Sequence, residues 1–248
     1  MQLSVTHPDE RRLSAVPGFV LALLAATLAA QIAWQASRPP PQAHAEDLSA
    51  PAPQAVLKIA SLGEPIALAQ WLTLYLQAFD NQPGISIPFK NLDYRRVIRW
   101  LDAILDLDPD TQYPLLMASQ LYGQVPVESK ERLMFEFVHR RFLEDPNRRW
   151  RWLAHCAILA KHRLKDPALA LGYAEDITEY ARAASGWARQ MRIFILEDMG
   201  ELESATVLLG GLLASGEIVD PKEIHFLNEE LQRLKKAENS SSMSKSRQ

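Results

Sequence analysis

The sequence predicts an all-α protein: one N-terminal transmembrane helix, then a short α-solenoid of stacked helical hairpins. Three observations carry this. Glycine is scarce, at 10 of 248 residues, and the long stretches lack the alternation of a half-buried strand. Residues 13–37 carry no charge at all. Beyond them, the apolar pattern returns on a thirty-five-residue beat.

The beat runs as follows. Trp152 is followed eighteen residues later by Ala170 and four after that by Ala174; Trp187 is followed at the same spacings by Ala205 and Leu209. Cys156 matches Met191, Ile158 matches Ile193, Leu159 matches Phe194, Leu164 matches Met199 and Ile177 matches Leu212. A looser upstream copy, offset by thirty-seven, sets Leu115, Tyr122, Leu133 and Phe137 against Trp152, Leu159, Ala170 and Ala174. A period of this size marks a supersecondary unit that buries its apolar face only by stacking on its neighbours. Ala170 and Ala205 are small where two helices would approach closely, and Trp152 and Trp187 are large where a neighbouring hairpin needs filling.

The bulk properties narrow the function classes. The net charge is -3, which gives no global nucleic-acid signature. The single cysteine, Cys156, excludes an internal disulfide. Charged residues at 23% and hydrophobic ones at 48% are ordinary globular usage.

Taken in order, residues 1–14 form a short polar N-terminus. A transmembrane helix is expected at 15–36, because the run from Val16 to Trp34 is long enough to cross a hydrocarbon core of roughly 30 Å. Trp34 suits the interface. The alternative is a cleaved signal peptide, for which Ala43-His44-Ala45 resembles a cleavage site, but it lies well past the apolar run. Arg11 and Arg12 precede the helix and Arg38 follows it, so the N-terminus is expected in the cytoplasm. In a bacterium the domain would then face the periplasm from the inner membrane.

Residues 37–55 contain Pro39-Pro40-Pro41, Pro51 and Pro53 and read as a semi-rigid linker. The soluble domain is expected over 56–237, with helices at 64–79, 92–107, 111–124, 127–143, 147–164, 167–182, 186–199, 201–214 and 220–237. Asp108-Pro109 and Asp145-Pro146 end two of them. Residues 85–91 read as a loop or short extended piece, and 238–248 as a disordered polar tail.

Trp152, His155, Cys156 and Leu159, and again Trp187, Gln190, Met191 and Phe194, resemble the first helix of a tetratricopeptide repeat (TPR). Ala170 with Ala174, and Ala205 with Leu209, resemble its second helix. Lys165-Asp166 and Gly200-Glu201 stand where the family has its tight turn. The TPR-like resemblance spans about 110–215 strongly enough to follow, and 64–107 weakly. It implies stacked helix hairpins and a binding scaffold rather than an enzyme.

Arg148-Arg149-Trp150-Arg151-Trp152 interleaves cations with indoles that could stack on sugars, bases or headgroups; the simpler reading is a helix start with Trp152 inside and the arginines over the rim. His155, Cys156 and His162 share one helix but fall short of a metal site without ligands from elsewhere. Asp102, Asp106, Asp108 and Asp110 read as a solvated acidic face. Over 128–165 the balance turns basic, so neighbouring segments of opposite sign either attract one another or give one groove a dipolar field. No nucleophile triad, phosphate loop or paired cysteines occur.

The expected function is therefore a membrane-anchored protein-binding scaffold for assembly, export or maturation, with no cofactor and no metal. Its partners would be the bilayer, through residues 15–36, and another protein, through an extended peptide segment, but neither nucleic acid nor a small-molecule substrate. The alternative is an accessory or catalytic subunit of a membrane-associated enzyme complex. In TPR-like geometry one groove would be lined by Tyr113, Gln120, Gln124, Trp150, Lys161, Arg189 and Arg192. Cations at one end suit a peptide bearing an acidic group or a free carboxylate.

Overall fold

The computed structural model describes residues 16–38, 45–216 and 218–245, with side chains described as far as 238. The expected N-terminal segment 1–14 lies outside the described residues. The chain divides into two units, the first holding the N-terminal helix and the second nearly everything from Ala45 onward.

In the first unit, α1 (Gly18–Ser37) has 20 residues and none of them is buried. That is about 30 Å of helix. Its most apolar window has a mean hydropathy of 1.7, and among the described residues it alone is long and apolar enough to cross a membrane. Its two hydroxyls are satisfied locally: Thr27 donates to the Leu24 carbonyl at 3.0 Å and Ser37 to that of Trp34 at 2.8 Å. A polar group placed in hydrocarbon needs such a partner.

The second unit is helical throughout, as expected. Its helices are α2 (Gln54–Ala60), α3 (Pro65–Ala78), α4 (Tyr94–Leu107), α5 (Tyr113–Leu116), α6 (Glu128–Glu144), α7 (Pro146–His162), α8 (Pro167–Tyr180), α9 (Gly186–Asp198), α10 (Leu202–Ala214) and α11 (Pro221–Lys245). The only described strands are the two-residue pieces Asn81–Gln82 and Ile85–Ser86. Prolines open α3, α7, α8 and α11, where a missing N–H costs nothing. Asp93 caps α4 by accepting from the Arg95 N–H at 2.9 Å, and Asp166 caps α8 by accepting from that of Leu169 at 3.0 Å. From α6 to α11 each helix packs on the next, while α4 packs on both α3 and α6. The last helix runs to Lys245, past the expected end at 237.

Three expectations need correcting. Residues 45–53, expected as linker, lie on the domain: Leu48 is 2% exposed, the Arg96 guanidinium donates to its carbonyl at 2.8 Å, and the Trp100 indole donates to the Ser49 carbonyl at 2.8 Å. An extended segment without secondary structure of its own docks here because its backbone acceptors find donors from α4. The expected helix over 111–124 is broken, with α5 passing into a π turn (Met117–Leu121) and a 3₁₀ turn (Tyr122–Gln124). Ser119 Oγ donates back to the Leu115 carbonyl at 2.8 Å, and the chain then folds so closely that a Cβ on Gly123 would lie 2.7 Å from the Ala118 carbonyl oxygen. Finally, the tryptophans do not fill alike. Ala170, Ala174, Ala205 and Leu209 are fully buried, yet Trp187 is 53% exposed. Trp152 lies well inside α7, whereas Trp187 is the second residue of α9 and stands at its edge.

The acidic and basic segments do attract. Arg141, on α6, donates to Asp102 at 2.7 Å, to Asp106 at 2.8 Å and to Glu144 at 3.1 Å. Arg149, on α7, donates to the Arg141 carbonyl at 2.6 Å, to Glu144 at 2.9 Å and to the Pro109 carbonyl at 3.0 Å. The two side chains are 10% and 3% exposed. Burial alone would raise the Glu144 pKa, but hydrogen bonds from Arg149 and Arg141 hold it below the ordinary 4.5.

Arg141→Met should destabilise the domain by more than about 1 kcal/mol, since it removes the buried guanidinium that ties Asp102 and Asp106 of α4 to α6; thermal unfolding followed by circular dichroism checks it. Gly123→Ala should destabilise by more than about 1 kcal/mol. Gly172→Ala, where a Cβ meets nothing within 4 Å, should instead stabilise α8 by up to about 1 kcal/mol. The lowered Glu144 value stabilises the fold above the unfolded value near 4.5, and that stabilisation is lost as pH falls through the folded value. An acid titration of stability should therefore fall below that point, and less steeply in Glu144→Gln.

Candidate functional site: an arginine-lined cleft

Gly211 and Leu212, on α10, face Arg189 and Arg192, on α9, across a cleft of about 830 Å³. Thr178 and Glu179, at the end of α8, and Arg182, just beyond it, close one side. Val207 and Leu208 supply an apolar wall, and Val207 is 68% exposed. A Cβ on Gly211 would meet nothing within 4 Å, so the missing side chain widens the opening.

Local sequence explains the placing. Arg189 and Arg192 are three apart and therefore share a face of α9. Thr178 Oγ1 donates to the Ala174 carbonyl at 2.9 Å and to the Arg189 carbonyl at 3.3 Å, which fixes α8 against α9 beside the cleft. The Arg192 Nε is buried and makes no hydrogen bond to the described residues. Among the described lining residues are three guanidiniums, of Arg182, Arg189 and Arg192, and the carboxylate of Glu179. Guanidinium groups recognise carboxylates and phosphates through paired N–H donors.

The seven residues expected in one groove are not brought together. Arg189 and Arg192 line this cleft. Lys161 pairs with Asp198 and lines a separate depression of about 270 Å³ with Ile158, Trp187, Met191 and Phe194. Tyr113 accepts from Gln77 in another depression, of about 480 Å³, between α3 and α5. Gln120 and Gln124 are exposed. Trp150 is 7% exposed and packs edge-on against Trp187, with ring centroids 5.7 Å apart. It is core rather than groove. The two sets lie about half a turn apart around α9, so cations at 189 and 192 point away from the face that carries 187, 191 and 194.

Sequence reasoning missed Arg182, Glu179 and the α10 wall. The available signals were the Gly210-Gly211 pair inside an otherwise strong helix former and the polar break after Tyr180 that carries Arg182. The Arg148–Trp152 string is a helix start, as expected, but with Arg149 and Trp150 inside. Trp152 is half-buried and donates to Gln112 at 2.7 Å.

Other titratable groups stand elsewhere. His139 Nε2 lies 2.5 Å from Asp176 in a depression of about 430 Å³ that Tyr173 and Arg132 also line. Burial raises the Tyr173 hydroxyl well above its ordinary pKa. Burial likewise raises the Cys156 thiol and lowers His155. Among the described residues no three His, Cys, Asp or Glu side chains are grouped to hold a metal.

No protein-family model matches this chain, no curated protein is detectably similar to it, and no solved structure matches it significantly.

Proposed function

We propose that this chain is a membrane-anchored scaffold of TPR-like helical hairpins that holds another protein by an extended segment bearing an acidic group or a free carboxylate. The observation that carries the reading is the arginine-lined, apolar-walled cleft between α8, α9 and α10. The length and apolarity of α1 support the anchor. The succession of helices, each packed on the next from α6 onward, supports a stacked-hairpin scaffold. With the more basic flank before α1, the domain faces away from the cytoplasm; in a bacterium it would stand in the periplasm.

A second reading, an accessory or catalytic subunit of a membrane-associated enzyme, is favoured by one observation. His139 Nε2 lies 2.5 Å from Asp176 in a depression that Tyr173 also lines, and an imidazole–carboxylate pair is a common acid–base arrangement.

Arg189→Glu combined with Arg192→Glu should abolish recovery of the partner when the full chain is cross-linked and purified from its own membranes. Thermal unfolding, with Arg189→Gln plus Arg192→Gln measured beside it, separates lost binding from lost folding. Undiminished recovery by a folded double variant would remove the cleft from the binding face. Under the second reading His139→Gln would instead leave recovery intact and silence an activity of the recovered complex.

A further inference from the structure

We propose that the outer face of α2 and α3 lies in the interface of the same bilayer that α1 enters, laying the domain on the membrane. The proposal rests on the anchor reading above. Val56, Ile59, Leu62, Ile66, Trp71 and Leu74 are 51–91% exposed. All six fall within residues 56–74, whereas other large exposed apolar side chains of the domain are spread singly along it. Contiguous exposed apolar surface marks an interaction site.

Residues 65–79 contain no charge. Ala69, Leu72, Thr73 and Leu76 take the buried side of α3, yet its outer side is apolar and amide-bearing too. A helix that is apolar all round is normally covered on all sides. At the tip, Leu62 is held at φ 50° and is 91% exposed. A bulky apolar residue in the left-handed region is an outlier, and here it presents its side chain outward.

The chain itself identifies what covers this face. Seven residue steps separate Arg38, where α1 ends, from Ala45, a reach of at most about 25 Å. Next to Ala45, Glu46 is pinned beside the end of α3: its N–H donates to Gln82 at 2.8 Å, and Gln82 donates back to its carbonyl at 2.9 Å. The tether thus attaches beside one end of α3, which is itself only about 21 Å long. The bilayer is within reach of the whole face. Trp71, stacked on Tyr75 with centroids 5.9 Å apart, supplies the amphipathic aromatics that settle at headgroup depth.

The test uses the full chain reconstituted in phosphatidylethanolamine–phosphatidylglycerol vesicles. Cys156 is fully buried, so a cysteine introduced at Leu24, Leu62, Leu74 or Glu203 takes a spin label selectively. Collisions with oxygen and with a water-soluble nickel chelate then report depth. Labels at Leu62 and Leu74 should show nickel collisions several-fold below those at Glu203, with oxygen collisions raised. Nickel collisions equal to those at Glu203, with Leu24 in lipid, would overturn the proposal and leave the anchor intact. A hydrated Leu24 label would overturn the anchor itself. Protection of Leu62 and Leu74 from both reagents would overturn the lipid contact by showing a protein, a second copy included, on this face.

Discussion

Two buried guanidiniums hold the middle of the domain together. Arg141 reaches from α6 to two carboxylates of α4 and one of its own helix, and Arg149 reaches from α7 to carbonyls at Arg141 and Pro109. Taking such charges from water costs several kcal/mol each, so the arrangement is tolerable only because nearly every donor is used. That requirement fixes geometry. The one-residue link at Asp145 between α6 and α7, the end of α4, and the approach of residues 109–112 must all be correct together. Apolar packing in the same region tolerates small displacements far better than a shared carboxylate does.

The consequence for legibility is specific. The acidic run on α4 and the basic run from 128 to 165 were readable as attracting segments, because charge sign is visible in sequence. Which arginine went inside was not. Arg148, Arg149 and Arg151 look alike in a string, yet Arg149 is buried while Arg151 stays exposed over the Trp150 ring. Only the position of the Pro109 carbonyl, a long-range fact, separates them. The starts of helices opened by proline were legible to within a residue, whereas α2 and the far end of α11 were not. The docked strand 45–53 was not, since its anchoring uses backbone carbonyls that every sequence possesses.

The candidate site shows the same limit. Placing Arg189 and Arg192 on a common face needed only helical spacing. Assigning that face to the same groove as Lys161 needed the rotation of α9 about its own axis, which the thirty-five-residue beat did not supply. Buried residues do recur at that spacing, Ala170 with Ala205 and Ala160 with Ile195, but α7 begins at Pro146, well before Trp152, whereas α9 begins at Gly186, beside Trp187. Trp150 therefore lies inside a helix and is buried, and a groove that counted it as lining fails for that reason.

Helix α9 is where these constraints meet. Ala188 and Ile195 belong to the large core that begins at Leu48, and Ile193 and Leu196 belong to the smaller core shared with α10 and α11. Gln190 donates to Glu223 of α11 at 2.5 Å, while Arg189 and Arg192 stand in the cleft. A 13-residue helix with apolar contacts on two sides has little surface left. Its remaining faces are therefore the places where a change can alter recognition without altering the fold. The cleft cations occupy one of them. Under the proposed reading, whatever binds the folded cleft stabilises by mass action the helix that joins both cores.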